Sequence, residues 1–558
     1  MVGAAHRGRR RAVTDVVRVR PRPGPRHAAP PPGFVARAAA VTAGLSVAGS
    51  VLGLLRDQVI ARFFGAGADS DAFLVAWTVP ELAATVLIED AMALLLVPAF
   101  SAALAKGGAR PLVRGTLPRL AALLAVATAA LLAAAPLAVH LLAPGLAAPG
   151  LAVTCTRLTT ATILTFGLAG YLSAALRAHH RFLPPAAVYV AYNVGIITTL
   201  LALHGRWGVR SAAAGVAVGG ALMVLVQLPS FVRVMRSGAT RAEGVAMVPG
   251  QSRLPGHPAG VNGGDTATAG PDGPGSAGRV RLGMGLVVPV VLFAVARQTQ
   301  VLVERFFAAG LPAGAISHLN YAQKVAQLPM ALSLMVCTVT FPVVSRALAG
   351  GDRERARQRV ERDLTLACVV VLLGTAYVVA CAPQIVSTLF QRGAFDAADT
   401  AATAAVMRVY ALGLLGQSLV GALIRPYFSA ARPTWYPVAA MAAGLSLTAV
   451  VDGAAVTPWG AYGIAAGNAA GISLTAVLLL RGLPARAVPV RVPALTAAVS
   501  RYVLAAAAAT GAGWCTTRLL PGAPAALAAA ACCLTVPLAF AAAAAAVGAP
   551  VRSLPHAA

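Results

Sequence analysis

"LGLLRDQVIARFFGAGADSDAF" occupies Leu52–Phe73. Its first half is apolar enough for a membrane helix, yet Arg56 and Asp57 stand side by side within it, and Arg62, Asp69 and Asp71 follow. Charges placed in hydrocarbon are costly and mark functional positions. The rest of the chain decides how to read them. Of 558 residues, 58% are hydrophobic and 11% charged, and the mean hydropathy is +0.76; soluble domains carry about 25% charged residues. Apolar runs of the length needed to cross a hydrocarbon core as a helix, about 20 residues, recur near 34–61, 72–103, 117–143, 152–176, 185–203, 211–235, 282–308, 315–345, 364–383, 399–424, 435–451, 459–480, 495–517 and 524–547. These predict an all-α polytopic membrane protein with about 14 transmembrane helices, because hydrocarbon offers backbone polar groups no partner outside a helix or a closed barrel.

The formal net charge of +27 would suggest nucleic acid in a soluble chain. Here it follows the positive-inside rule. With the N-terminus in the cytoplasm, the loops on that side carry clusters such as Arg110, Arg114 and Arg119, or Arg353, Arg355, Arg357 and Arg359. The opposite loops carry only Arg62, Arg206, Arg210, Arg392 and Arg518. The C-terminus then also lies in the cytoplasm. Residues 1–33 lack a signal-peptide core and read as a disordered basic cytoplasmic tail, and the Gly/Pro/Ser-rich residues 237–280 as a flexible cytoplasmic linker. Between them lies an N-lobe of six helices, 34–236. A C-lobe of six follows at 281–482, then two C-terminal helices and a short tail, 483–558.

The two lobes repeat each other. "ARFFGAG" (Ala61–Gly67) matches "ERFFAAG" (Glu304–Gly310), and "VPAFSAALAKGG" (Val97–Gly108) matches "FPVVSRALAGG" (Phe341–Gly351). The offsets agree to one residue: 243 from Arg62 to Arg305 (305 − 62) and 244 from Pro98 to Pro342 (342 − 98). An even number of spans per block preserves orientation, so the repeats are related by a pseudo-two-fold along the membrane normal, as in transporters that bind cargo between rocking lobes. The seven cysteines form no CxxC pair and read as small buried hydrophobes. No Walker A, HExxH or nucleophile-elbow motif occurs, so the chain is read as a transporter, not an enzyme, with no metal or cofactor.

"VLGLLRDQVIARFFGAGADSDAF" resembles the first-helix motif of the MurJ (MviN) lipid II flippases, within the multidrug, oligosaccharidyl-lipid and polysaccharide exporter superfamily. The resemblance continues through "VPELAATVLIEDAMALLLVPAFS", "LRAHHRFLPPAAVYVAYN", "VERFFAAGLPAGAISHLNYAQKVAQLP" and "IRPYFSAARPTWYPV". It implies alternating-access flipping of an undecaprenyl-linked disaccharide–pentapeptide in the inner membrane, for peptidoglycan synthesis and cell shape. It also implies coupling to an ion gradient or membrane potential, a C-terminal groove for the lipid tail, and contact with membrane lipids and the cell-wall synthesis machinery, with no nucleic acid. The chain departs from the family at Gly49-Ser50, at Ala84-Thr85 where a double Arg is typical, and at Gln323-Lys324. Alternatives are another polyprenyl-linked glycan, a drug, or a non-transporting envelope scaffold.

The substrate-binding candidates are Arg56, which the resemblance places in the cavity, Arg297 and Lys324. Helical neighbours lie about 100° apart, so Arg56 and Asp57 are not expected to face one cavity together. The gate or ion-coupling candidates are Asp71, which otherwise reads as a helix N-cap, Glu89, Glu304 and Arg305. The last mirrors Arg62 and otherwise reads as an interfacial anchor. Glu81, Glu89 and Asp90 make the second helix acidic where the family is basic.

Overall fold

The computed structural model describes residues 32–105, 108–246, 284–333, 352–428 and 434–549. The basic tail up to residue 31, most of the Gly/Pro/Ser-rich linker and the repeat partner Phe341–Gly351 lie outside them. Every described part of the predicted spans is helical, and no strand occurs among the described residues.

The first helix, α1, is described over Pro32–Phe64. It stops at Gly65, whose φ of +59° is strained for any residue with a Cβ. After this turn comes α2 (Ala68–Ala83), which passes through a seven-residue π-helical stretch, Ala84–Asp90, into α3 (Ala91–Ala105). The N-lobe is completed by α4 (Arg110–Leu142), α5 (Pro149–Thr160), α6 (Thr162–Ala178), the single turn α7 (Leu183–Ala186), α8 (Val188–Trp207) and α9 (Arg210–Ala246), which runs into the stretch read as linker. The C-lobe comprises α10 (Met284–Ala308), α11 (Ala315–Ala326), α12 (Arg353–Phe390), α13 (Ala397–Leu412), α14 (Leu414–Phe428), α15 (Tyr436–Trp459) and α16 (Ala461–Arg486). Finally α17 (Val492–Leu519) and α18 (Ala525–Ala546) pair with each other and lie along α12.

Ten helices among the described residues are long and apolar enough to cross a membrane, eleven if the bent pair α13–α14 counts as one span. The chain is therefore a multi-pass membrane protein. The segments expected as the second, seventh and eighth spans are not among the ten. These are α2–α3, α10 and α11, and they contribute Asp71, Trp77, Glu304, Arg305 and Lys324 to the site described below.

Within the N-lobe, α8 packs on α9 and α1, and α2 on α5; within the C-lobe, α15 packs on α16 and α10, and α11 on α13. One apolar cluster joins the lobes, with Ile60 and Phe73 on one side and Ile316, Tyr321, Phe390 and Phe395 on the other. Helices in lipid gain little from hydrophobicity against each other and associate through close packing. The α15–α16 crossing shows this. Gly463, Gly467 and Gly471 recur every fourth residue on α16, and a Cβ on each would run into Ala455, Asp452 and Thr448 of α15. Replacing Gly471 with Leu should therefore separate this pair and destabilise the folded protein by about 1–3 kcal/mol, seen as a lower melting temperature in detergent; an unchanged melting temperature would contradict the packing.

Candidate functional site

Arg56 and Asp57 lie seven residues from the end of α1 and are both 7% exposed. The Arg56 side chain is long enough to swing back, so its Nε (2.9 Å) and Nη2 (2.7 Å) both donate to Asp57 Oδ1. The two neighbours thus neutralise each other locally, the angle of about 100° between their Cβ directions being spanned by the arginine's three methylenes. The third nitrogen, Nη1, donates to Asn193 Oδ1 of α8 at 3.1 Å. Asn193 is itself fixed by donating to the carbonyls of Gly49 and Tyr189. Lys324 reaches across from α11 in the other lobe, its Nζ 3.5 Å from Asp57 Oδ2. Both cations lie over Trp77 of α2, Arg56 Cζ at 4.4 Å and Lys324 Nζ at 5.6 Å from the ring centroid, a favourable cation–π arrangement. Arg56 and Lys324 are thus brought together. Arg297 is not: it is exposed on α10 and makes no ion pair among the described residues.

Near the α1–α2 turn the lobes are sealed. Asp71 is not an N-cap of its own helix, because α2 starts at Ala68 and its N-cap is Gly67. Its carboxylate instead crosses to the other lobe and caps α11. Oδ2 accepts from the Gly314 N–H (2.7 Å), and Oδ1 accepts from the Ser317 N–H (2.8 Å) and hydroxyl (2.6 Å). The first amides of a helix lack internal partners and carry its positive dipole end, so a carboxylate is favoured there. Gly314 has a φ of +98°, and a Cβ on it would sit 2.5 Å from the Ala66 carbonyl oxygen of the opposite lobe. Two more contacts close the seal: the Ala394 N–H donates to the Arg62 carbonyl (2.8 Å), and the Ala66 N–H to Asp399 (3.3 Å). Arg305 is not an interfacial anchor; it is 5% exposed and donates to the Ile316 carbonyl and Asn320 Oδ1, bracing α11 from behind.

Glu304, next to Arg305, faces other helices. Its carboxylate accepts hydrogen bonds from Tyr410 (2.7 Å) and Asn468. Asn468 accepts from Gln417 (3.3 Å), and Gln417 from Gln327 (3.2 Å), one turn beyond Lys324. Asp452 of α15 lies within electrostatic reach of the Glu304 charge, is 0% exposed, and has neither oxygen hydrogen-bonded. Asp57 as a shared partner, Trp77, Asn193, Asp452 and Asn468 were not foreseen as site residues. A lone acid in "AVVDGAAV" and a lone amide in "AAGNAAG" were the available signals. The backbone of Glu89 lies in the π-helical stretch, and its side chain lies outside the described residues. Among the described residues no group of three or more His, Cys, Asp or Glu is placed to hold a metal ion.

Removing the Asp71 carboxylate deletes three cross-lobe hydrogen bonds, each with a charged acceptor worth about 1.5–3 kcal/mol. In an Ala66→Cys background, Asp71→Ala should raise the rate of labelling by a polar maleimide by about tenfold or more; an unchanged rate would mean that the seal does not depend on this cap.

A family model described as "Lipid II flippase MurJ" matches residues 60–527. The Lipid II flippase MurJ of Burkholderia cenocepacia is 28% identical over 466 residues, covering 81% of this chain and 84% of that one. The Rhizobium meliloti protein described as a probable lipid II flippase MurJ is 27% identical over 508 residues, covering 87% and 88%. Among solved structures, "Lipid II flippase MurJ, inward closed conformation" superposes with a TM-score of 0.67 at 18% identity, covering 90% of this chain and 98% of that one. An inward-facing multidrug MATE transporter superposes with a TM-score of 0.58 at 14% identity, covering 82% and 99%. The two solved structures share the fold, and the match of the family model along most of the sequence carries the assignment: this chain belongs to the lipid II flippase MurJ family.

Proposed function

We propose that this protein flips lipid II, the undecaprenyl-pyrophosphate-linked disaccharide–pentapeptide, across the inner membrane by alternating access of its two lobes, with both termini in the cytoplasm and 14 spans in all. The observation that carries this reading is the cation pair that spans the lobes, Arg56 on α1 and Lys324 on α11, meeting at Asp57. A pyrophosphate cannot enter hydrocarbon without cationic partners. Lys324, with 27% of its side chain exposed, can exchange Asp57 for a phosphate oxygen, and Arg297 offers an exposed guanidinium with its fork free for bidentate contact. The closed seal at the α1–α2 turn corresponds to the outer end, so cargo enters from the cytoplasmic side. An apolar groove of about 190 Å³ between α12, α17 and α18, lined by Leu366, Val369, Tyr502 and Phe540 with Arg362 among its lining residues, has room for a short segment of the lipid tail. The loss of the family's double arginine at Ala84 and Thr85 favours, as a second reading, a polyprenyl-linked glycan with less phosphate charge.

Coupling is assigned to Glu304 and Asp452. Buried carboxylates without a basic partner are costly unless they hold a proton or a cation. Tyr410 and Asn468 supply neutral hydroxyl and amide groups to Glu304, and Asp452 has no hydrogen-bond partner among the described residues. One charge moved through the full membrane potential contributes about 2.3 kcal/mol per 100 mV.

Depleting the protein in cells that lack a paralogue should make lipid II accumulate on the cytoplasmic face. Wild-type protein should reverse this, and the Arg297→Ala, Lys324→Ala double variant should not. No accumulation on depletion would sink the reading, and full rescue by the double variant would sink the cation assignment. Asp452→Asn should flip lipid II in proteoliposomes at the rate that wild-type protein shows with the ion gradient dissipated; a variant still accelerated by the gradient would remove Asp452 from coupling.

A further inference from the structure

Trp77, Glu81 and Thr85 recur every fourth residue along α2 and the start of the π-helical stretch, and so lie on one face. Both outer members are placed by contacts. The Trp77 ring lies under Arg56 and Lys324, and the Thr85 hydroxyl accepts from Gln298 of α10 at 2.9 Å. Glu81 lies between them in sequence on the same face and is partly exposed. Its charge is felt by Arg56 on one side and by Glu304 on the other. Yet no cation among the described residues lies within ion-pair distance of it. Arg56 has all three nitrogens engaged, two on Asp57 and one on Asn193, and Lys324 also goes to Asp57.

The local charges are two cations, Arg56 and Lys324, against two acids, Asp57 and Glu81. After Asp57 is neutralised, one positive charge is left on the Lys324 side and one negative charge at Glu81. Such a site complements a head group that carries both signs. We propose that Glu81 is a specificity-determining residue that reads a protonated primary amine on the cargo, while the cations hold its phosphate. This deepens the flippase reading and rests on it. A phosphate-only ligand would meet Glu81 as a repulsive charge, so the carboxylate selects against cargo without the amine as well as for cargo with it.

Native mass spectrometry of the full chain in detergent tests this with two ligand pairs. One is the lipid-linked disaccharide–pentapeptide with its stem amines free or acetylated; the other is dodecylamine or N-dodecylacetamide. Wild-type protein should retain the free-amine member of each pair about tenfold better, the worth of one charge-assisted hydrogen bond. Glu81→Gln should retain both members alike, and Glu81→Asp, which keeps the charge, should restore the preference and so exclude a folding defect. Equal retention of both lipid-linked forms by wild-type protein, or a preference that persists in Glu81→Gln, would overturn the inference while leaving lipid II as cargo. A wild-type preference for dodecylamine that needs Glu81, with neither lipid-linked form retained, would support the amine site and overturn lipid II as cargo.

Discussion

The Asp57 carboxylate, shared between an arginine of one lobe and a lysine of the other, is the interaction on which the centre of this protein depends. Two buried ionised groups, with a third partly buried beside them, would be expensive if either of the two were left alone. The arrangement avoids that in both directions. With the lobes together, Asp57 takes Arg56 on one oxygen and Lys324 on the other. Under the alternating access proposed above, Arg56 keeps Asp57, its partner on the same helix, as the lobes part. Lys324, the more exposed of the two cations, is the one whose partner lies in the other lobe. Asn193 supports this from outside the ion pair. Pinned by two backbone carbonyls, it presents its own oxygen to Arg56 and fixes the guanidinium plane over Trp77.

The seal and the carboxylate pair meet on α10. Glu304 and Arg305 are chain neighbours that face different partners, Glu304 toward α13 and α16, Arg305 toward the start of α11. A change in charge at Glu304 thus bears on the same helical turn that braces the segment capped by Asp71. The amide chain from Asn468 through Gln417 to Gln327 gives a second physical connection, ending one turn from Lys324. Glu304, Lys324 and the Asp71 cap are in this way joined through neighbouring helices, without a long-range relay.

Much of this was legible before any coordinates. Apolar runs and the Arg-Phe-Phe repeat carried the membrane fold and the two-lobe plan, because span length and loop charge are set locally. The count was harder: the π-helical stretch divides α2 from α3, α10 carries Arg297, Glu304 and Arg305, and the span begun by α11 runs beyond the described residues. Asp71 was recognised as a gate candidate from its place at a helix start. That it caps a helix of the opposite lobe depends on packing, which no local pattern reports. That Arg56 and Asp57 pair directly depends on a long flexible side chain, which Cβ directions do not report. Asp452 and Asn468 were passed over because single polar residues in apolar helices are common, and only their convergence on Glu304 gives them meaning. Arg297 shares with Arg56 a residue type and a depth in sequence, and neither fixes a shared location.

Every backbone group in the seal is one that any residue carries. The Gly314, Ser317 and Ala66 N–H groups donate across it to the Asp71 and Asp399 carboxylates, the Ala394 N–H donates to the Arg62 carbonyl, and close approach at Gly314 is secured by the lack of a side chain. A door whose donors are peptide groups asks for few particular side chains beyond its two aspartates. The polar residues around Trp77 make other contacts, so they can change while the groups that close the turn stay the same.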